Sequence, residues 1–178
     1  MGKIKRAFSS LLLIAVFIAL MAGCENQEKA IVERNKAIVH RAYKEAINAH
    51  NVDILEEMLA DDYVRHSQSS PPKLQEIRSK EIFLNFVQQH FVAFPDWNEE
   101  VNFIIAEGDK VAFSTTGTGT HRGKMGEFAP TGKRVKLEHL AVHRIDENGK
   151  IAETWVSWDN VAFLTQLGIF PPPGEGSE

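Results

Sequence analysis

The chain has 178 residues, 43% of them hydrophobic and 25% charged, with 7 Pro and 12 Gly, a balance that excludes a disordered polymer, a fibrous repeat and a second large domain. Its 20 basic residues include Lys3, Lys5 and Arg6 of an N-terminal export signal; without those three, 17 basic residues face 24 acidic ones and the charge moves from −4 to −7. That acidity argues against wrapping nucleic acid, whose affinity rests on neutralising phosphates. A single cysteine excludes an intramolecular disulfide.

Residues 1–23 read as a signal peptide: a basic start, an apolar run from Leu11 to Leu20, and small residues ending in Ala22-Gly23-Cys24. The strongly apolar run is shorter than the roughly 20 residues of a spanning helix. The stretch Leu20-Met21-Ala22-Gly23-Cys24 resembles a bacterial lipoprotein cleavage box. That resemblance implies lipidation at Cys24 and an exported protein anchored to a membrane, periplasmic or on the outer cell surface. Residues 24–29 read as a polar tether, 30–171 as the folded domain and 172–178 as a tail.

Apolar residues from Ile31 to Ile47 recur at helical spacing and predict a long amphipathic first helix over 30–49, with His40 and His50 off the stripe and solvated. Asn51 or Asp53 can cap a short second helix, Tyr63 to His66 reads as a short extended segment, and Ser79 can start a third helix carrying Phe83, Phe86, Val87, His90 and Phe91. Three helices are therefore expected before any substantial sheet. Beyond Pro95 the period becomes 2: Trp97, Val101, Phe103 and Ile105 alternate with Asn98, Glu100 and Asn102 in a first long strand. Further strands are expected over 111–120, 133–145 and 151–158, the last two joined at Asn148-Gly149. Asp159 can cap a short last helix stopped by Gly168. Helices followed by antiparallel strands point to an α+β domain whose curved sheet wraps the helices.

His139 and His143 are four apart, but on a strand that spacing separates them by about 13 Å, so the two do not share one metal ion. No Gly-x-Ser-x-Gly motif, phosphate loop or cysteine pair occurs. Gly117-Thr118-Gly119 within a strand suggests close backbone approach. Acid–base or binding chemistry on the inner sheet face remains. Alternation puts Val135, Leu137, His139, Ala141, His143 and Ile145 on one face, and Ala152, Thr154, Val156 and Trp158 on one face of the following strand. His139 and His143 either line a pocket, where imidazole moves protons near neutral pH, or are hydrogen-bonded core residues. Trp158 can line a cavity; Trp155 reads as packing.

The segments Tyr63 to His66, Phe94-Pro95-Asp96, Glu107-Gly108-Asp109, Gly119-Thr120-His121-Arg122-Gly123, Pro130-Thr131-Gly132-Lys133, Gly149 to Trp155 and Gln166-Leu167-Gly168, in this order, resemble the SnoaL-like polyketide (ester) cyclases. The resemblance implies a nuclear transport factor 2-like cone with an apolar pocket, often dimeric, and cofactor-free aldol ring closure in which an Asp exchanges protons. Carried over in register, that Asp falls at Val156 and its polar companion at Ala141, neither of which exchanges a proton. The cyclase mechanism therefore does not transfer unchanged. His66, His121, His139 and His143 are the expected polar lining, with His66 and His139 as catalytic candidates and His121, His143, Thr154 and Trp158 as ligand contacts.

Two functions remain open. One is a cofactor-free enzyme of cyclase, isomerase or hydrolase type acting on a small hydrophobic carbonyl compound. The other is a lipid-anchored binding module, with a dimeric interaction module as a third option. A cavity above roughly 300 Å³ onto which Trp158, His139 and His143 converge would favour a ligand. Substituting Cys24→Ala is expected to release the protein from the membrane fraction. Persistent membrane association of that variant would contradict lipidation.

Overall fold

The computed structural model describes residue 23 and residues 25–170; residues 1–22 of the signal, Cys24 and residues 171–178 lie outside the described residues. Helix α1 runs from residue 25 to 41 and continues as a π-helical stretch, Ala42–Ile47. Residues 25–29 form the exposed start of that helix. Their charges, as in the Lys29–Glu25 pair four residues apart, stabilise a solvated turn. Val39, Ala42 and Ala46 bury the predicted stripe. Asn35, fully buried, donates from its side-chain amide to the Gly108 carbonyl at 3.0 Å and so ties α1 to the turn of a distant hairpin.

Asn51 caps α2 (Val52–Met58) by accepting from the Ile54 amide. The chain then enters β1 (Leu59–His66) without a break, because Leu59, Ala60, Tyr63 and Arg65 all bury on the sheet. A substantial strand therefore precedes the third helix, against the expectation of three helices first. A short strand β2 (Glu76–Ile77) hydrogen-bonds to its end, and Ser79 caps α3 (Lys80–Ala93) through the Ile82 amide. Four long strands follow: β3 (Asn98–Glu107), β4 (Lys110–Thr120), β5 (Arg134–Ile145) and β6 (Ile151–Trp158). Asp159 caps α4 (Asn160–Leu167), and Gly168 closes it in the left-handed conformation.

The strands form one curved sheet in the order β2-β1-β6-β5-β4-β3. All pairs are antiparallel except β1 with β6, which is parallel. The sheet is therefore mixed, and only its β3 to β6 half matches the expected antiparallel run. A bulge between Val101 and Phe103 shifts the phase of β3. Val101 and Ile104 point in, whereas Phe103 and Ile105, expected on the apolar face, point out and stay 49% and 65% exposed.

Two apolar clusters lie on the concave side. One joins α1 and α2 to Tyr63, Phe91, Phe113, Ala141 and Ile145; the other gathers Phe94, Trp97, Val135, Leu137, Phe163 and Leu167. On β5 the residue between them is His139, flanked by Leu137 of one cluster and Ala141 of the other. The seam between the clusters is where polar groups reach the interior. Among the described residues no helix is long and apolar enough to cross a membrane.

Candidate functional site

Glu99 stands at that seam. It shares strand parity with Trp97 and Val101, so β3 turns its carboxylate inward. The Asn48 side-chain amide, just past the π-helical stretch, holds the Glu99 backbone as a neighbouring strand would: it donates to the Glu99 carbonyl at 2.8 Å and accepts the Glu99 amide at 2.7 Å. The Trp97 indole donates to Glu99 Oε1 at 2.9 Å, and the Thr115 hydroxyl donates to Oε2 at 2.7 Å. His139 Nδ1 lies 3.5 Å from the same Oε2. Burial raises the Glu99 pKa, but the hydrogen bond and charge of His139, with the donors Thr115 and Trp97, outweigh it and bring it down to about 2. A carboxylate this well held stays ionised at neutral pH.

The geometry at His139 is that of an oriented base. Its Nδ1 faces the carboxylate, while Nε2 bonds to nothing among the described residues. Edge-on contacts with Trp158, ring centroids 5.8 Å apart, and with Trp97 at 6.3 Å fix the ring. The His139 and Glu99 side chains keep 15% and 12% of their surface exposed. The separation of 3.5 Å suits an ion pair that shortens as positive charge grows on the imidazole.

Three more groups complete the inner shell. Tyr43 lies against Thr115, and burial followed by the Glu99 charge pushes its phenol well above the usual range. His90, edge-on to Trp97 with centroids 4.6 Å apart, is pushed down to about 4 by burial; Glu99 opposes this, and His139 and His50 add to it. His50 is half-buried and not solvated as expected: its Nε2 bonds to the Trp97 carbonyl at 2.9 Å and its ring stacks on Phe91. Its positive φ of 51° turns the chain out of α1 and brings the ring inward.

The other expected lining residues divide. His143 is 8% exposed, accepts or donates through Nδ1 at 2.9 Å to the Thr154 hydroxyl, and packs on Phe113. This is the hydrogen-bonded core alternative, and Thr154 is consumed with it. His121 is fully buried beside Phe94, with Nδ1 bonded to Thr131. His66 follows inward-facing Arg65 and therefore points to the outer sheet face, where it bonds to Glu153 at 2.8 Å and stacks on Trp155. Strand parity removes it from the interior. Trp158 does adjoin His139, and Ala141 pairs directly with Val156.

An open groove elsewhere, lined by Asp53, Glu57, Asp62, Lys80, Asp146 and Lys150, holds solvated charges and none of these inner groups. Among the described residues no set of three or more His, Cys, Asp or Glu side chains is gathered to hold a metal.

A family model for the SnoaL-like polyketide cyclases matches residues 37–167. The chain belongs to the SnoaL-like polyketide cyclase family. Similar solved structures include AclR, a candidate hydroxylase from Streptomyces galilaeus, at 28% identity and TM-score 0.69, covering 81% of this chain and 87% of that one. Wild-type IdmH, a candidate polyketide cyclase from Streptomyces antibioticus, is 30% identical over 75% of this chain and 98% of its own, with TM-score 0.64. An LEH-like epoxide hydrolase from M. tuberculosis shares the fold at 17% identity and TM-score 0.59, over 76% of this chain and 90% of that one. No curated protein matches the chain. For this SnoaL-like protein, Glu99, Thr115, Tyr43 and His90 are the site residues that the sequence reading passed over. The parity of Glu99 with Trp97 was the signal for the first of them.

Burial pushes the His143 pKa down to about 3, as it does His90 to about 4, from an ordinary value of 6.5. Both stay neutral in the folded chain at pH values where unfolded histidines take up protons. Their contribution to stability is therefore complete above about pH 6.5 and is lost as the pH falls toward 4 and then 3. His143→Gln removes one of these titrations. The slope of unfolding free energy against pH between about 6 and 4 should drop by about 1.4 kcal/mol per pH unit. An unchanged slope in denaturant titrations would contradict a neutral buried His143.

Proposed function

We propose that this SnoaL-like protein is an enzyme whose cone carries out acid–base chemistry on a small apolar carbonyl compound, without a cofactor, from a domain tethered to a membrane through lipid on Cys24. His139 is the proton acceptor and Glu99 the group that orients and charges it. The observation that carries this reading is the carboxylate fixed by Trp97 and Thr115 against His139 Nδ1. It supplies acid–base capacity from β3 and β5, whereas the position that the family resemblance gives to its aspartate is Val156 on β6.

In the chemistry this arrangement supports, His139 Nε2 takes a proton from carbon next to a carbonyl. The C–H bond breaks, its electron pair moves onto the carbonyl oxygen as an enolate, and the proton stays on the imidazole. Glu99 offsets the new positive charge without itself taking the proton, because its own pKa is held down at about 2. Apolar walls from Phe86, Val156 and Trp158, all partly exposed, suit a hydrophobic substrate body. An enolate so formed can attack a second carbonyl, as in ring closure, or be reprotonated, as in isomerisation. The candidate assignments of AclR and IdmH as hydroxylase and cyclase agree with a family that varies the step after activation.

Phenylacetone in D2O, followed by proton NMR, tests the dyad. The protein should accelerate loss of the α-proton signal, His139→Gln should lower the rate by about 10²-fold or more, and Glu99→Gln should lower it too while the fold persists by circular dichroism. Exchange no faster than in buffer, or exchange indifferent to His139→Gln, would contradict the proposal.

A further inference from the structure

The inner face carries one more charge, which the proton chemistry leaves unused. Arg65 is 4% exposed and lies on the same face of β1 as Tyr63. Its guanidinium sits over the Phe86 ring at 5.0 Å and the Trp158 ring at 5.8 Å. Only Nη1 is engaged, donating to the Ser70 hydroxyl at 3.3 Å and the Leu74 carbonyl at 3.4 Å, both neutral acceptors. Among the described residues no carboxylate pairs with it, and the charged form is disfavoured first by burial, with only Tyr63 opposing.

Buried arginines ordinarily have an anion beside them, because an uncompensated charge away from water is strongly unfavourable. Nε and Nη2 have no protein partner, yet neither is among the fully occluded polar atoms. That edge of a guanidinium presents two parallel N–H groups, the spacing that matches both oxygens of a carboxylate. A second polar group nearby in sequence is also unspent: Ser67 is 3% exposed and its hydroxyl has no partner. The loop carrying these serines is clamped in place, since Ser69 Oγ accepts the Trp158 amide at 2.9 Å and donates to the Trp158 carbonyl at 2.7 Å. Trp158 therefore joins two stations. Arg65 lies 5.8 Å from its ring, and the His139 ring centroid stands 5.8 Å from it as well.

We propose that Arg65 is an anion subsite for the carboxylate of an apolar, partly planar ligand, which lies along Trp158 and Phe86 with its other end toward His139. This deepens the acid–base reading by naming a charged group on the substrate, and it rests on that reading for what happens at the far end. Specificity follows from the arrangement: the neutral amide of the same ligand leaves the guanidinium uncompensated and gains less.

Isothermal titration of the full-length chain in detergent with trans-cinnamate and trans-cinnamamide, which differ in that charge, provides the test. The carboxylate should bind at least tenfold more tightly than the amide, and Arg65→Met should bring the ratio close to one. As a measurement on the unaltered protein, the Arg65 side-chain Nε–H resonance should shift with cinnamate and stay still with cinnamamide. Equal affinities, a preference that survives in Arg65→Met, or an unmoved Arg65 resonance under cinnamate would overturn the subsite. Phenylacetone carries no carboxylate, so its deuterium exchange reports on the dyad alone. Loss of the charge preference with exchange intact would sink this inference only, and the reverse pattern would sink only the acid–base reading.

Discussion

A carboxylate held ionised inside an apolar cone is the constraint around which the rest of this molecule is arranged. Taken from water alone, the Glu99 charge would be prohibitively unfavourable. Two neutral donors and an imidazole surround it instead, and each depends on a different part of the chain. Thr115 comes from the middle of β4 and His139 from the facing position on β5, a register that pairs them directly. Trp97 reaches Glu99 because β4 carries glycine where the indole crosses it. A Cβ added at Gly117 would lie 2.3 Å from the Trp97 ring, and one at Gly119 2.7 Å from it. Such overlap forces the indole away, and with it the Glu99 hydrogen bond.

The same constraint explains the irregular end of the first helix. The π-helical stretch and the left-handed His50 deliver Asn48 to the backbone of Glu99 and His50 to the Trp97 carbonyl. An edge strand otherwise free to slip is pinned at the residue that carries the charge. Arg65 adds a second buried charge on the concave face, of opposite sign and reached through Trp158. The interior thus holds a carboxylate–imidazole pair and a guanidinium, with the imidazole and the guanidinium both beside Trp158.

Much of the architecture was legible from the residues. Ser79 and Asp159 cap the helices they were expected to cap, Asn51 rather than Asp53 caps α2, and Asn148-Gly149 turns the hairpin that sets Ala141 opposite Val156. Period-2 reading placed His139 and Trp158 inward correctly, and the two rings meet. What failed has a local cause in each case. The early strand is longer than Asp61-Asp62 suggest, because both face solvent between buried Leu59-Ala60 and buried Tyr63. The bulge after Val101 reverses the facing of Phe103 and Ile105, which alternation alone cannot anticipate. His66 was grouped with interior histidines by family likeness, whereas parity with buried Tyr63 and Arg65 sends it outward. Glu99 and Arg65 escaped notice because charged residues are ordinarily solvated, and their burial depends on partners distant in sequence.

Carbon-13 NMR of the Glu99 side-chain carboxyl, followed from neutral pH into acid, tests the central claim most directly. A chemical shift that remains that of the ionised form through pH 4 and begins to move only toward about 2 is what the hydrogen-bonded cage predicts. Titration at or above 4.5, the ordinary glutamate value, would mean that Trp97, Thr115 and His139 do not hold the charge. The oriented base built upon it would then be lost.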